Sequence, residues 1–164
     1  IDAAALACFS DRADAIARLR GRAILTPHAG EMASMMQCAR EDVEANPESF
    51  ARDAARRFHA VVALKGETTH IADPGGALYR NAHGDIGLAT SGSGDVLAGI
   101  IGGLLARGTE PLHAAAWGVY LHARAGEVLA RRIGMGFLAR ELSAEVPSLM
   151  RLLVEPTGDE TAVW

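Results

Sequence analysis

At 164 residues, with 49% hydrophobic, 22% charged and 5% aromatic side chains, the chain has the size and composition of one globular domain. A formal net charge of −4 argues against the clustered lysines and arginines that hold nucleic acid, and no apolar run reaches the ~18 residues a membrane span needs. Neither nucleic acid nor membrane is an expected partner. The two cysteines, Cys8 and Cys38, lack CxxC spacing, and with no secretory leader they read as reduced thiols of a cytoplasmic protein.

In chain order, Ile1-Asp2-Ala3 reads as the end of a strand whose beginning lies outside the sequence. Residues 22–26 form a short apolar run stopped by Pro27, which predicts a buried strand and then a loop. Residues 30–38 read as a helix. So do residues 48–59, where Phe50, Ala54, Ala55 and Phe58 recur at helical spacing behind Pro47. Residues 61–64 (VVAL) predict a central strand buried on both faces, ended by Lys65-Gly66. The turn signal Asp73-Pro-Gly-Gly76 between residues 69–72 and 77–80 predicts a β-hairpin. Three helices are then expected over 95–107, 111–132 and 137–153, with Gly108 and Gly134 as stops, and residues 155–164 read as a polar tail. The apolar stretch 96–106 is interrupted by Gly99, Gly102 and Gly103, so a buried helix explains it better than a bilayer does. Strands alternating with helices favour an α/β sheet covered by helices.

The sharpest chemical signal is Thr90-Ser-Gly-Ser-Gly-Asp95, a glycine turn opening a helix. Gly92 and Gly94 free the backbone to approach a ligand, and with Ser93 they precede a helix whose unpaired N–H groups offer an anion site. Asp95 has a plain reading as a helix-start carboxylate. Its functional reading is the acceptor of a proton from a hydroxyl attacking phosphorus. A Walker loop requires GxxxxGK[ST], which is absent, and Leu97 occupies the third-glycine position of the dinucleotide fingerprint.

Lys65, the only lysine in the chain, leaves the predicted central strand beside Gly66, with Thr68 and Thr69 following. It is either a chance survivor of an arginine-preferring genome or a point charge for phosphate. Thr26-Pro-His-Ala-Gly-Glu31 leaves the neighbouring strand, and both segments fall where open α/β sheets gather ligands, outside the strands' carboxyl ends. His28 is thereby a site candidate. His59, His70, His83, His113 and His122 show no metal-ligand spacing and read as structural or solvated, His122 as packing beside Tyr120 and Trp117.

With TPHAGE, VVALKGETT, GLATSGSGDVLAGIIGGLLARG, WGVYLHARAGE and FLARELSAEVPSLM in view, the chain resembles the ADP/ATP-dependent NAD(P)H-hydrate dehydratases, the YjeF C-terminal-domain family of the ribokinase-like superfamily. The resemblance implies a three-layer α/β/α sandwich over residues 1–154, of which this chain is the C-terminal part. It also implies a homo-oligomer, and a reaction in which ADP or ATP with Mg²⁺ phosphorylates the ring hydroxyl of hydrated NADH or NADPH. That group then leaves as phosphate. Asp95 would be the base touching the hydrate, His28 would contact the same substrate, and Lys65, Gly66, Glu67, Thr68 and Thr69 would line the AMP portion. Gly94 would meet the nucleotide's phosphate, and no side chain is expected as a dedicated metal ligand. The family often reads Asp-Ala-Asp where this chain has Asp2-Ala-Ala4, and Asn-Pro or Asn-Ala where it has Asp85-Ile86. Two alternatives stay open: a small-alcohol kinase of the hydroxymethylpyrimidine or thiazole type, and a nucleotide-binding domain without turnover.

Overall fold

The structure, a computed structural model, describes residues 1–2, 4–9 and 12–154; the expected polar tail lies outside the described residues. Among them the order is α1 (Ala4–Ala7), α2 (Ala13–Ala17), β1 (Ile24–Leu25), α3 (Ala29–Met36), α4 (Arg40–Ala45), α5 (Pro47–Phe58) and β2 (Val61–Leu64). There follow β3 (Thr69–Ala72), β4 (Leu78–Asn81), a 3₁₀ turn at Ile86–Ala89, α6 (Ser93–Ala106), α7 (Pro111–Ile133) and α8 (Ala139–Val154).

One mixed sheet runs β1-β2-β3-β4, parallel between β1 and β2 and antiparallel after that. The β3-β4 hairpin forms as expected, and Asp73 closes its turn by accepting the Ala77 N–H at 2.8 Å. The first residue lies along the free side of β1: the Ile1 nitrogen donates to Ile24 O (2.7 Å), and Thr26 N–H donates to Ile1 O (3.1 Å).

Strand alternation divides the core. Leu25, Val62, Leu64 and Ala72 face α2, α3 and α5, where Ile16, Met32, Met35, Ala54 and Phe58 are buried. Ile24, Val61, Ala63 and Ile71 face α6 and α7, against Leu97, Ile101, Ala115 and Val119. The central strand is therefore buried on both faces, as VVAL predicts, and the chain is a three-layer α/β/α sandwich of ribokinase-like type. A third cluster, Ala125, Leu129, Phe137 and Leu142, joins α8 to α7.

Helix ends follow the sequence signals closely. Pro47 and Pro111 occupy first turns, and His59 closes α5 in the left-handed region, its N–H donating to Ala55 O and Arg56 O. Four short elements were not expected: α1, α2, α4 and the 3₁₀ turn. Helix α4 buries Val43 alone, so it carries no apolar period to read. Helix α6 starts at Ser93, two residues before the expected start, and it is buried along one stripe only. Leu97 and Ile101 face the sheet while Gly99, Gly102 and Gly103 are exposed, so the buried helix expected here is buried on its sheet-facing side. No described helix is long and apolar enough to cross a membrane.

Candidate active site

The carboxyl ends of β1 and β2 bring two separated segments together. Lys65 N–H donates to Pro27 O (2.8 Å), and His28 pairs with Lys65 in a parallel bridge that extends the sheet by one rung. His28 caps α3: its Nδ1 accepts from the N–H groups of Gly30 (3.0 Å) and Glu31 (3.2 Å), while Glu31 accepts the His28 N–H at 2.8 Å. This capping box fixes the ring. Because Nδ1 accepts, the neutral ring carries its proton on Nε2, on a side chain that is 60% exposed.

Lys65 points toward the start of α6. Its ammonium donates to Asp2 Oδ1 (2.9 Å) and stands 3.9 Å from Glu31 Oε2, and the same Asp2 oxygen accepts from Thr26 Oγ1 at 2.8 Å. The helix closes this cluster from the other side. A Cβ on Gly94 would lie 3.1 Å from Asp2 Oδ2 and 3.4 Å from Lys65 Nζ. Close approach favours glycine there, in line with the sequence expectation, while the left-handed backbone angle belongs to Gly92, at φ +84°, and not to Gly94.

The start of α6 has free donors. Ser93 N–H reaches Thr90 O and Val96 N–H reaches Gly92 O, which leaves the N–H groups of Gly94 and Asp95 without an acceptor among the described residues. No side chain caps the helix. Asp95 is exposed, and its carboxylate has no partner among the described residues, so it is a base available to an incoming group. Ser93 is buried.

Beside the cluster lies a cavity of about 790 Å³ whose lining includes His28, Arg40, Glu44, Leu64, Lys65, Gly66, Glu67, Thr68 and His70, within the roughly 300–1,000 Å³ of ligand clefts. Thr69 sits on β3 just beyond these walls, and Gly92, Ser93, Gly94 and Asp95 lie outside them. Only Lys65 belongs to both the cavity and the α6 cluster.

Three participants escape a reading of the sequence. Asp2, 63 residues before Lys65, orients the lysine. His70, expected to be structural or solvated, lines the cavity with Nδ1 buried and unpartnered among the described residues, and burial first, then Arg80, lowers its pKa. His122 does not pack with its aromatic neighbours: Tyr120 stacks edge-on between Trp117 and His83, whereas His122 is buried against Ser93. Asp85 caps the 3₁₀ turn by accepting the Gly87 N–H at 2.8 Å, and Ile86 beside it is exposed.

The oxygen donors here suit a magnesium ion that arrives on phosphates, since that ion keeps its waters and takes only one or two carboxylates. Among the described residues no cluster of three or more His, Cys, Asp or Glu side chains forms a cage.

Similarity to known proteins follows the same segments. The chain is 51% identical over 128 residues to the ADP-dependent (S)-NAD(P)H-hydrate dehydratase of Xanthomonas campestris, covering 77% of this chain and 44% of that protein. It is 40% identical over 156 residues to the bifunctional NAD(P)H-hydrate repair enzyme Nnr of Moorella thermoacetica, covering 94% of this chain and 29% of that one. The crystal structure of ADP/ATP-dependent NAD(P)H-hydrate dehydratase from Bacillus subtilis, co-crystallised with ATP/Mg²⁺, superposes with a TM-score of 0.75 at 35% identity, over 79% of this chain and 47% of that one. The chain thus spans about half or less of the length of these relatives. A family profile described as NAD(P)H-hydrate dehydratase matches residues 1–148, and the chain belongs to that family.

Proposed function

We propose that the protein carrying this chain dehydrates hydrated NADH and NADPH at the expense of ADP, restoring the reduced nicotinamide cofactor. The observation that carries the reading is the meeting of three features at one point: the unpaired N–H groups of Gly94 and Asp95, the open Asp95 carboxylate, and the Lys65 ammonium held by Asp2.

In this reading the nucleotide's phosphates lie at the α6 N-terminus, where backbone donors and Lys65 stabilise their charge. Lys65, Gly66, Glu67, Thr68 and Thr69 line its AMP portion, and His28 contacts the hydrate with its exposed edge. The ring hydroxyl attacks the terminal phosphorus of ADP while Asp95 takes its proton, and the bond from that phosphorus to the bridging oxygen breaks so that AMP leaves with its electrons. The phosphate then departs with the electrons of the carbon–oxygen bond, and the adjacent ring carbon gives up a proton as the double bond reforms. Magnesium, brought with the nucleotide, neutralises phosphate charge; Asp95 and Asp2 are the nearby oxygen donors. A homo-oligomer and a cytoplasmic setting, in keeping with Cys8 and Cys38 standing outside any disulfide among the described residues, complete the reading.

The test is turnover by the full-length protein. With ADP, Mg²⁺ and hydrated NADH, the absorbance of the reduced nicotinamide should return as inorganic phosphate accumulates. A stable phosphate ester instead would make the protein a small-alcohol kinase, and ADP binding without phosphate release a non-catalytic domain. Asp95→Ala should leave ADP binding within about twofold while cutting kcat by roughly 10²-fold or more; a near-normal rate would remove Asp95 from the role of base.

A further inference from the structure

His122 lies outside the cavity and has no role in the chemistry above, yet it is tied directly to the turn. Its Nε2 is 3.0 Å from Ser93 Oγ and 3.0 Å from Ser93 O, across 29 residues of sequence. Both residues are buried, Ser93 at 5% and His122 at 9% exposure. We propose that His122 is a positioning residue for phosphoryl transfer: from α7 it clamps Ser93, the first residue of α6, and so fixes the direction of the Gly94 and Asp95 N–H groups and of the Asp95 carboxylate. The inference rests on the role given to this turn above.

Three observations support a clamp over simple filling of space. The neighbouring positions of α7 that face α6, Ala115 and Val119, are apolar, and an imidazole placed in such a layer costs desolvation unless its nitrogen is satisfied. That nitrogen stands within hydrogen-bond distance of one residue's carbonyl and hydroxyl oxygens, and since a carbonyl only accepts, Nε2 carries the proton and donates to Ser93 O with Ser93 Oγ beside it. The pKa of the ring is also lowered, by burial first and with the Lys65 cation acting in the same direction. Among the described residues Ser93 has no other side-chain partner, and Gly92 before it and Gly94 after it offer no side chain. Without the bond from α7, the two glycines on either side would let the first turn of α6 reorient, and small misplacements of reacting groups carry large rate penalties.

The experiment uses the full-length protein and three variants, His122→Leu, His122→Gln and His122→Met, the last a flexible side chain without an N–H donor. Gln places an amide N–H near the position of Nε2; Leu fills similar volume without a donor. Expected for His122→Leu is a fall in kcat of about 10- to 100-fold with KM for ADP and for hydrated NADH changed less than threefold, most of it recovered by His122→Gln. Amide hydrogen exchange at Ser93 and Val96, whose N–H groups are bonded to Thr90 O and Gly92 O, should speed up in His122→Leu and return toward normal in His122→Gln. Wild-type kcat in the leucine variant, glutamine no better than leucine, or unchanged exchange at these two amides would overturn the clamp. If His122→Leu does not fold, the decision passes to His122→Met and His122→Gln: a kcat loss and faster exchange in the methionine variant, with near-normal behaviour in the glutamine variant, are expected, and any other pattern rejects it. A wild-type protein that never restores NADH, while the leucine or methionine variant still accelerates exchange at Ser93 and Val96, would sink the activity reading and leave the clamp standing.

Discussion

Gly94 shows how a single missing methyl group defines the site. It sits in the first turn of α6, where alanine is the better helix former by roughly 1 kcal/mol, yet a Cβ there would press on Asp2 Oδ2 at 3.1 Å and Lys65 Nζ at 3.4 Å. Gly94→Ala is therefore expected to leave the melting temperature unchanged or slightly raised while weakening ADP binding by about tenfold, the equivalent of ~1.4 kcal/mol. Calorimetry of ADP binding beside a thermal melt checks both signs. Unchanged affinity would mean that the phosphate does not approach this glycine. At this scale the sequence was informative where chemistry is local: the turn around Gly94, the lysine leaving β2 and the histidine leaving β1 all stand in short strings with a recognisable geometry. Asp2 was not legible as a site residue, because its contact with Lys65 spans 63 positions and depends on the first residues lying along β1.

Among the elements, the pairing of α6 with α7 matters most to the site, because the turn is only as well placed as the helix behind it. The two helices approach so closely at Gly118 that a Cβ there would stand 2.4 Å from Ile101 Cγ1 and 3.4 Å from its Cα. The backbone contact means that a rotamer change of Ile101 relieves only part of the clash. Gly118→Ala should destabilise the protein by roughly 1–3 kcal/mol through overpacking, despite its better helix propensity, and chemical denaturation reads this directly. Pairing with Ile101→Ala should cost less than the sum of the two single changes, since the crowding atom Cγ1 is then gone; full additivity of the two changes would show that the contact is not the cause. The long helices were legible from period, proline starts and glycine stops. The shorter ones were not, since α4 buries one side chain and the 3₁₀ turn at Ile86–Ala89 buries none. Likewise, helical spacing in WGVYLHARAGE sets Tyr120 and Trp117, two and five positions before His122, on other faces of α7, but only the packing of α7 against α6 shows that the His122 face meets the turn.

For the molecule as a whole, burying His122 between two layers links stability to pH. Burial, the larger cause, together with Lys65 lowers its pKa from 6.5 to about 4, against the opposing effect of its bond to Ser93. The unfolded chain therefore binds a proton that the folded one refuses throughout that interval, so stability is fully present above the unfolded value and is lost as pH falls from about 6.5 toward 4. At about 1.4 kcal/mol per unit, the loss is on the order of 3 kcal/mol. His70, lowered chiefly by burial, acts in the same direction. The carboxyls of Glu48, lowered first by its bond from Arg80, and Glu127, lowered by the Gly84 N–H and Arg124 against the opposing effect of burial, act only below the ordinary carboxylate value. Urea unfolding of the full-length protein between pH 7 and pH 4 should show the midpoint falling with acid. His122→Gln, which keeps a donor and cannot titrate, should show a shallower slope and gain on the wild type most at the acid end. Parallel slopes for the two proteins would mean that the imidazole takes up a proton as readily in the folded chain as in the unfolded one, and His122 would then be more open to water than its 9% exposure between two layers implies.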